Sequence, residues 1–460
     1  MLIRVATTFL CIFAFLAVTL LSRDPPNISE SDQVFYHSIA FDLDKYGVFT
    51  NGVWGAAGSE KEPPPAGMMY MPLYPALVWL GMQLDENFAR AITCANQARQ
   101  QPNLQPKCEP YTRPMMVMHA ILLSLGVIAV GLAGRLIVPG PWTFPLTAAV
   151  ATAGVFSHAG LFSFMMTEAL TFCLYSVAML AFLAGIRSPR TSLFASSGVA
   201  LAVLVLARPS FVLLGALLPM LLLFRHWSRT MAGPLLRKAL VFLVCFEAVL
   251  LPWQIRNYAS VGKFGLSEEY GAFNIIVRFG YDEMTLAGGL IAFPAALPQI
   301  GLPLTRALFG ADAPRQLGWG WEGDSLYGAG GRKAFALRNA YGRLDPIIFR
   351  VIADELRENW WKYLLTTIPI AWTALWIGQT WGLFLIPIFG LVLAQQVRRH
   401  EYLLLYYSAP ALAMILAHAA FANHAVRFNI GFIGPVSVAG MIFLVEIAMR
   451  ASRLQAPRNR

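Results

Sequence analysis

The chain has 460 residues, of which 57% are hydrophobic and 13% charged, and its formal net charge is +10. Soluble domains carry roughly 25% charged residues around a smaller apolar fraction. So few charges cannot solvate this much apolar surface, which excludes a soluble enzyme, a disordered chain and a nucleic-acid-binding module and leaves lipid as the main solvent.

In chain order, the first apolar run covers 5–21. No small-residue cleavage site precedes Arg23, so the run reads as an uncleaved anchor. A long polar loop, 22–113, follows. Within it Phe35, Ile39, Leu43 and Tyr46 recur at helical spacing, which predicts a short amphipathic helix that opens at Asp32 and stops at Gly47. An acid at that position is ordinarily a helix cap. Pro72-Leu73-Tyr74-Pro75 opens a second short apolar helix near 72–82. Cys94 and Cys108 flank a polar stretch and suit a disulfide if that stretch lies outside the cell. Cys11, Cys173 and Cys245 lie in apolar runs and read as small hydrophobes.

Further spans are predicted at 115–136, 142–161, 168–186, 192–207, 210–224 and 239–253. Glu168 opens the third of these, and Arg208-Pro209 breaks the chain between the fourth and fifth. A second polar region, 254–362, begins with Arg256 and Lys263. Two apolar stretches are left open as spans: 285–309, broken by Pro294, Pro298 and Pro303, and the Trp-rich 363–378. The last spans are 380–397, 402–420 and 429–448, with His424 and Arg427 just ahead of the final one. The expected fold is one all-α domain over 1–460, a polytopic bundle of about 10–12 transmembrane helices. Two long extracytoplasmic loops, 22–113 and 254–362, carry interfacial amphipathic helices.

Orientation follows from the short loops. With the N-terminus in the cytoplasm, the inner segments hold Arg4, Arg135, Arg187, Arg190, Arg225, Arg229, Arg237, Lys238, Arg398, Arg399, Arg450, Arg453, Arg458 and Arg460, against Glu401 as the one loop acid. This is the positive-inside pattern, and it places both termini of a multi-pass protein in the cytoplasm. Asp32, Glu168, Arg208, Arg256, Lys263, His424 and Arg427 then share the outer face. Cations there suit a phosphate leaving group, and a carboxylate suits the proton of an attacking hydroxyl.

These elements, in this order, resemble the GT-C superfamily of integral-membrane glycosyltransferases, and most of all the branch with protein O-mannosyltransferases, lipid A aminoarabinose transferases and rhizobial galacturonosyltransferases. The matching stretches are Asp32-Gln33 with Tyr36, Ile39-Ala40 and Gly47, then Pro72 to Pro75, Thr167 to Leu170, Ala207-Arg208-Pro209, Pro252 to Tyr258, and Arg427-Phe428. The resemblance implies a hexosyl- or pentosyltransferase that takes a sugar from a polyprenyl phosphate. A hydroxyl of a glycan, lipid or protein receives it, with inversion, at the periplasmic face. It implies Asp32 as the catalytic acid–base group and Arg256, Arg208, Arg427 and Lys263 as ligands of the donor phosphate. Tyr36, Tyr74, Glu168 and His424 would line the substrate cavity. Many relatives carry a second carboxylate where this chain has Gln33, so no cofactor and no metal ligand are expected, with divalent-metal use left open. A polytopic transporter or lipid flippase, or a non-catalytic subunit of a glycan assembly or export system, is the alternative. Transporters place ionisable groups at mid-membrane. The acids noted inside spans here are Glu247 and Glu446, each near a span end.

Overall fold

The computed structural model describes residues 2–28, 30–52, 63–100, 108–225, 232–319, 325–423 and 425–455. Among these the regular structure is helical throughout. The chain forms two compact units: residues 1–266, 388–407 and 433–460, and residues 267–387 and 408–432.

The first unit holds α1 (Leu2–Leu21), α2 (Gln33–Tyr46), α3 (Leu73–Leu84), α4 (Glu86–Gln100), α5 (Arg113–Ile137), α6 (Thr143–Ser157), the short α7 (Ala159–Phe162), α8 (Glu168–Arg187), α9 (Ser192–Val205), α10 (Val212–Arg225) and α11 (Ala232–Val261). The second unit contains α12 (Tyr270–Phe279), α13 (Leu286–Ala295), α14 (Gly301–Phe309), α15 (Ala313–Gln316), α16 (Leu326–Tyr341) and α17 (Ile348–Leu375). The chain passes between the units within α18 (Gln379–Arg398) and α19 (Leu403–Phe421), and ends in α20 (Ile433–Gln455) of the first unit.

Six helical stretches among the described residues are long and apolar enough to cross a bilayer: Leu2–Leu21, Arg113–Ile137, Glu168–Arg187, Gln379–Arg398, Leu403–Phe421 and Val426–Ala451. The protein is therefore a multi-pass, all-α membrane protein. Three of the other expected spans fall in shorter helices, α6, α9 and α10, of 14 or 15 residues each. The stretch 285–309 divides into α13 and α14, of 10 and 9 residues, too short to span. The stretch 363–378 continues α17, whose 28 residues bend at Asn359.

In the first unit α5 packs against α1, α6, α8 and α20, α8 against α9, and α9 against α11. Small residues permit the close approaches, as expected where helices associate in lipid without a hydrophobic drive. A Cβ on Gly126 of α5 would come within 2.7 Å of the Phe172 ring on α8, and one on Gly198 of α9 would collide with the Phe242 carbonyl on α11.

α2 ends where its sequence predicts, with Gly47 in the left-handed region (φ 66°) and its N–H bonded to the Leu43 carbonyl. It is more enclosed than one apolar stripe would make it. Its buried residues include Gln33, His37, Ser38 and Asp42 as well as Ile39 and Phe41. Asn96 of α4 reaches across to donate to His37 Nδ1 at 3.1 Å and to accept from Ser38 Oγ at 2.8 Å. Cys94 and Cys108 form a disulfide, which ties α4 to the start of α5.

In the second unit α12 and α16 enclose Ala272, Ile276, Ala334, Leu344 and Ile348. Glu269 and Asp345 exchange bonds: Asp345 accepts from the Glu269 N–H at 3.0 Å, and Glu269 accepts from the N–H groups of Leu344 (2.9 Å) and Asp345 (3.2 Å). The exchange holds Glu269 at a positive φ of 63°.

Candidate functional site

The first unit brings together segments that are far apart in sequence, beginning at the N-terminal turn of α2. Asp32 occupies the N-cap position but its side chain makes no capping hydrogen bond, so it is not the ordinary cap that the sequence suggests. Its neighbour Gln33 is fully buried. The Gln33 amide donates to the carbonyls of Asn27 (3.3 Å) and Glu30 (3.2 Å) and accepts from the backbone N–H of Met165 at 2.8 Å. One side chain thus pins the start of α2 to the loop that leads into Glu168.

One turn further on, Tyr36 stands edge-on to Tyr74 with ring centroids 5.0 Å apart, and edge-on to Tyr70 at 6.0 Å. Tyr74 is completely buried, and its hydroxyl lies 3.0 Å from His119 Nε2. The other ring nitrogen, His119 Nδ1, is 2.8 Å from the Phe162 carbonyl, which can only accept. In the neutral ring Nδ1 therefore carries the proton and the Tyr74 hydroxyl donates to Nε2. Burial pushes the Tyr74 hydroxyl pKa well above its ordinary value, and the nearby charge of Glu168 and then Tyr36 add to the rise. The phenol stays protonated and serves as a hydrogen-bond donor.

Glu168 opens α8 and is 2% exposed. Its carboxylate lies 3.7 Å from the Arg208 guanidinium, whose side chain keeps 13% exposure. The Leu73 N–H bonds to the Leu206 carbonyl at 3.0 Å, so the Pro72–Pro75 turn sits beside the Arg208-Pro209 break. The structure thereby joins Tyr36, Tyr74, Glu168 and Arg208 around the first turns of α2.

Arg256 belongs to the same unit but is engaged differently. Its guanidinium donates to the Gly67 carbonyl (2.5 Å), the Asn257 side-chain oxygen (3.1 Å) and the Phe49 carbonyl (2.8 Å). It also stacks near the rings of Phe49 (5.3 Å) and Trp253 (4.9 Å). A phosphate at Arg256 would have to compete with two backbone carbonyls. What Arg256 holds is the loop that follows α2. In that loop Gly52 packs so tightly on Phe35 that an added Cβ would sit 3.0 Å from the Phe35 carbonyl.

Lys263 follows Gly262 at the end of α11 and is half-buried. Arg427 lies in the second unit, with its guanidinium 5.3 Å from the Phe428 ring. His424, like Arg229, Arg458 and Arg460, lies outside the described residues. Sequence reasoning missed His119 and the contacts of Gln33. His119 had a signal, since an ionisable residue inside a span is a site candidate by default. Gln33 had none, because its role depends on contacts with residues 27, 30 and 165. Among the described residues no three His, Cys, Asp or Glu side chains gather as a metal-binding group.

No protein-family model and no curated protein matches the chain. Among solved structures it is similar to the archaeal oligosaccharyltransferase AglB from Archaeoglobus fulgidus, in complex with an inhibitory peptide and a dolichol-phosphate. The TM-score is 0.49 and the identity 12%, over 99% of this chain. The chain spans about half of that protein, 52% of its length. It is also similar to ArnT from Cupriavidus metallidurans, bound to undecaprenyl phosphate (TM-score 0.37) and in the apo state (0.38). Both show 14% identity over 98% of this chain, and 82% and 81% of ArnT.

Proposed function

We propose that this protein is a membrane glycosyltransferase that moves a sugar from a polyprenyl-phosphate donor to a hydroxyl acceptor, with inversion, at the periplasmic face of a bacterial inner membrane. The carrying observation is convergence. Four stretches on which the resemblance rests, around Asp32, Tyr74, Glu168 and Arg208, meet in one place although up to 176 residues separate them in sequence. Packing alone gives no reason for an acid, two tyrosines and an acid–arginine pair to gather there. The Cys94–Cys108 disulfide supports the outer face, since disulfides persist in oxidising compartments.

In this reading Asp32 accepts the proton of the acceptor hydroxyl as its oxygen attacks the anomeric carbon. The bond from that carbon to the phosphate oxygen breaks, and the polyprenyl phosphate leaves with the electron pair. Arg208 stabilises the departing negative charge, and Glu168 keeps Arg208 in position. Tyr36, half-buried, offers an aromatic wall to the sugar, and the buried Tyr74 backs it. Lys263 and Arg427 remain secondary candidate cations. The reaction is read as metal-independent, because the neighbour of Asp32 is a neutral amide already engaged at both ends.

The test is release of polyprenyl phosphate by the purified protein in detergent. Asp32→Asn should lower turnover by roughly 10²–10⁴-fold, the range a general base contributes, with an unchanged melting temperature. Near-normal turnover would sink the assignment.

A further inference from the structure

At the end of the first unit where α1 begins lies a second feature, which the glycosyltransferase reading does not use. A cleft of ≈ 730 Å³ opens between the first turns of α1, the last turn of α5 and the start of α6. Arg4 of α1 and Arg135 of α5 line it together with the Thr7 and Thr8 hydroxyls, and none of its lining residues is Asp or Glu. Its remaining lining is apolar, with Phe144 on one side and Trp142, 71% exposed, at the rim.

The cleft exists because α1 is anchored by only one stripe. Ile12, Leu16 and Leu20 are buried, all in its second half, whereas Ile3 near its start is 82% exposed. The opposite half of α1 therefore presents apolar surface and an arginine to whatever enters. An occupant should be anionic where Arg4 and Arg135 line the cleft and apolar along Ile3 and Phe144. An exposed Trp beside such a basic cleft marks the level of the lipid headgroups. Basic pockets between spans attract anionic headgroups, and arginine bonds phosphate in bidentate fashion.

We infer that this cleft binds the phosphate headgroup of an anionic phospholipid from the leaflet at the N-terminal end of α1, with an acyl chain laid along the exposed first turns. The site serves lipid association of the chain and is separate from the Asp32 cluster, so its test does not depend on catalysis.

Native mass spectrometry of the full chain in detergent, with phosphatidylglycerol or phosphatidylcholine added, reads it directly. The expected result is retention of phosphatidylglycerol roughly ten-fold over phosphatidylcholine, lost in the Arg4→Gln/Arg135→Gln double variant. Equal retention of the two lipids, or unchanged retention in the double variant, overturns the proposal. So does displacement of phosphatidylglycerol by millimolar inorganic phosphate, which would make the cleft a simple phosphate site. Both arginines also help to orient the chain, so the double variant risks failing to insert. Thr8→Trp fills the cleft and keeps both charges. It should lose phosphatidylglycerol as well, and retention there would equally overturn the assignment.

Discussion

Each compact unit places an arginine beside a carboxylate, and the two pairs differ in how closely the charges approach and how far they are buried. Arg278 in the second unit is fully buried. It donates to the Ala419 carbonyl (2.7 Å), Asp282 (3.0 Å), the Tyr363 carbonyl (3.1 Å) and the hydroxyls of Thr366 and Thr367 (2.9 Å each), and its guanidinium lies 4.6 Å from the Tyr363 ring. Thr366 in turn donates to Asp282 at 2.8 Å. Arg208 in the first unit faces Glu168 at 3.7 Å, beyond hydrogen-bond length, and keeps some exposure. A buried ion is tolerable only when its hydrogen bonds are met, and Arg278 meets that condition by welding α12 to α17 and α19. The bonds of Arg256 go to a loop beside the Asp32 segment. The approach of arginine to carboxylate, 3.0 Å at Arg278 and 3.7 Å at Arg208, separates the two pairs more than the residue type does.

The sharpest way to break this comparison is to replace both arginines in turn. Arg278→Ala strands the Asp282 carboxylate in a site where burial already raises its pKa, with Arg278 and Thr366 opposing that rise. Removing one partner of such a pair costs about 3–5 kcal/mol. The expected outcome is loss of monodisperse protein on size exclusion, or a steep fall in melting temperature. Arg208→Lys, which leaves a cation beside the buried Glu168, should behave in the opposite way, with a nearly unchanged melting temperature and turnover lower by roughly 10²-fold, the lower end of the loss when a charge-stabilising donor is removed. If the two variants lost stability equally, the distinction between the pairs would vanish.

Much of this arrangement was legible in the sequence, and the illegible parts share one cause. The apolar runs located the spans, Gly47 stopped α2 where its pattern ended, and the polar spacing of Cys94 and Cys108 allowed the bond that forms. The Arg208-Pro209 break predicted from sequence lies within three residues of the observed end of α9 at Val205. Hydropathy could not distinguish Arg256 from Arg208. Both are cations at helix ends near an expected surface, and the bonds of Arg256 go to the carbonyls of Phe49 and Gly67, about 190–210 positions away. The enclosure of α2 was hidden for the same reason, since Asn96 reaches it from another helix.

The smallest expected effect concerns the loop that Arg256 clamps, and it sharpens the comparison through a carboxylate with no arginine among its hydrogen-bond partners. Asp42 on α2 is 3% exposed and accepts the Thr50 hydroxyl at 2.6 Å, while Thr50 accepts from the Gly52 N–H at 3.0 Å. Burial raises the Asp42 pKa to about 6 from an ordinary 3.8, against the opposing influence of Thr50 and then Lys45. The folded protein thus binds this proton more tightly than the unfolded chain does. The resulting stabilisation is complete below pH 3.8 and is lost as pH rises through 6. At neutral pH the carboxylate is ionised and bears its desolvation cost. Asp42→Asn keeps an oxygen for the Thr50 hydroxyl and removes the charge. Melting curves in detergent should therefore show the variant more stable than the parent at pH 7.5, with the gap closing toward pH 4.5. A constant gap across that window would mean that Asp42 does not titrate there, and that the Thr50–Gly52 relay, without any charge effect, is what holds the loop against α2.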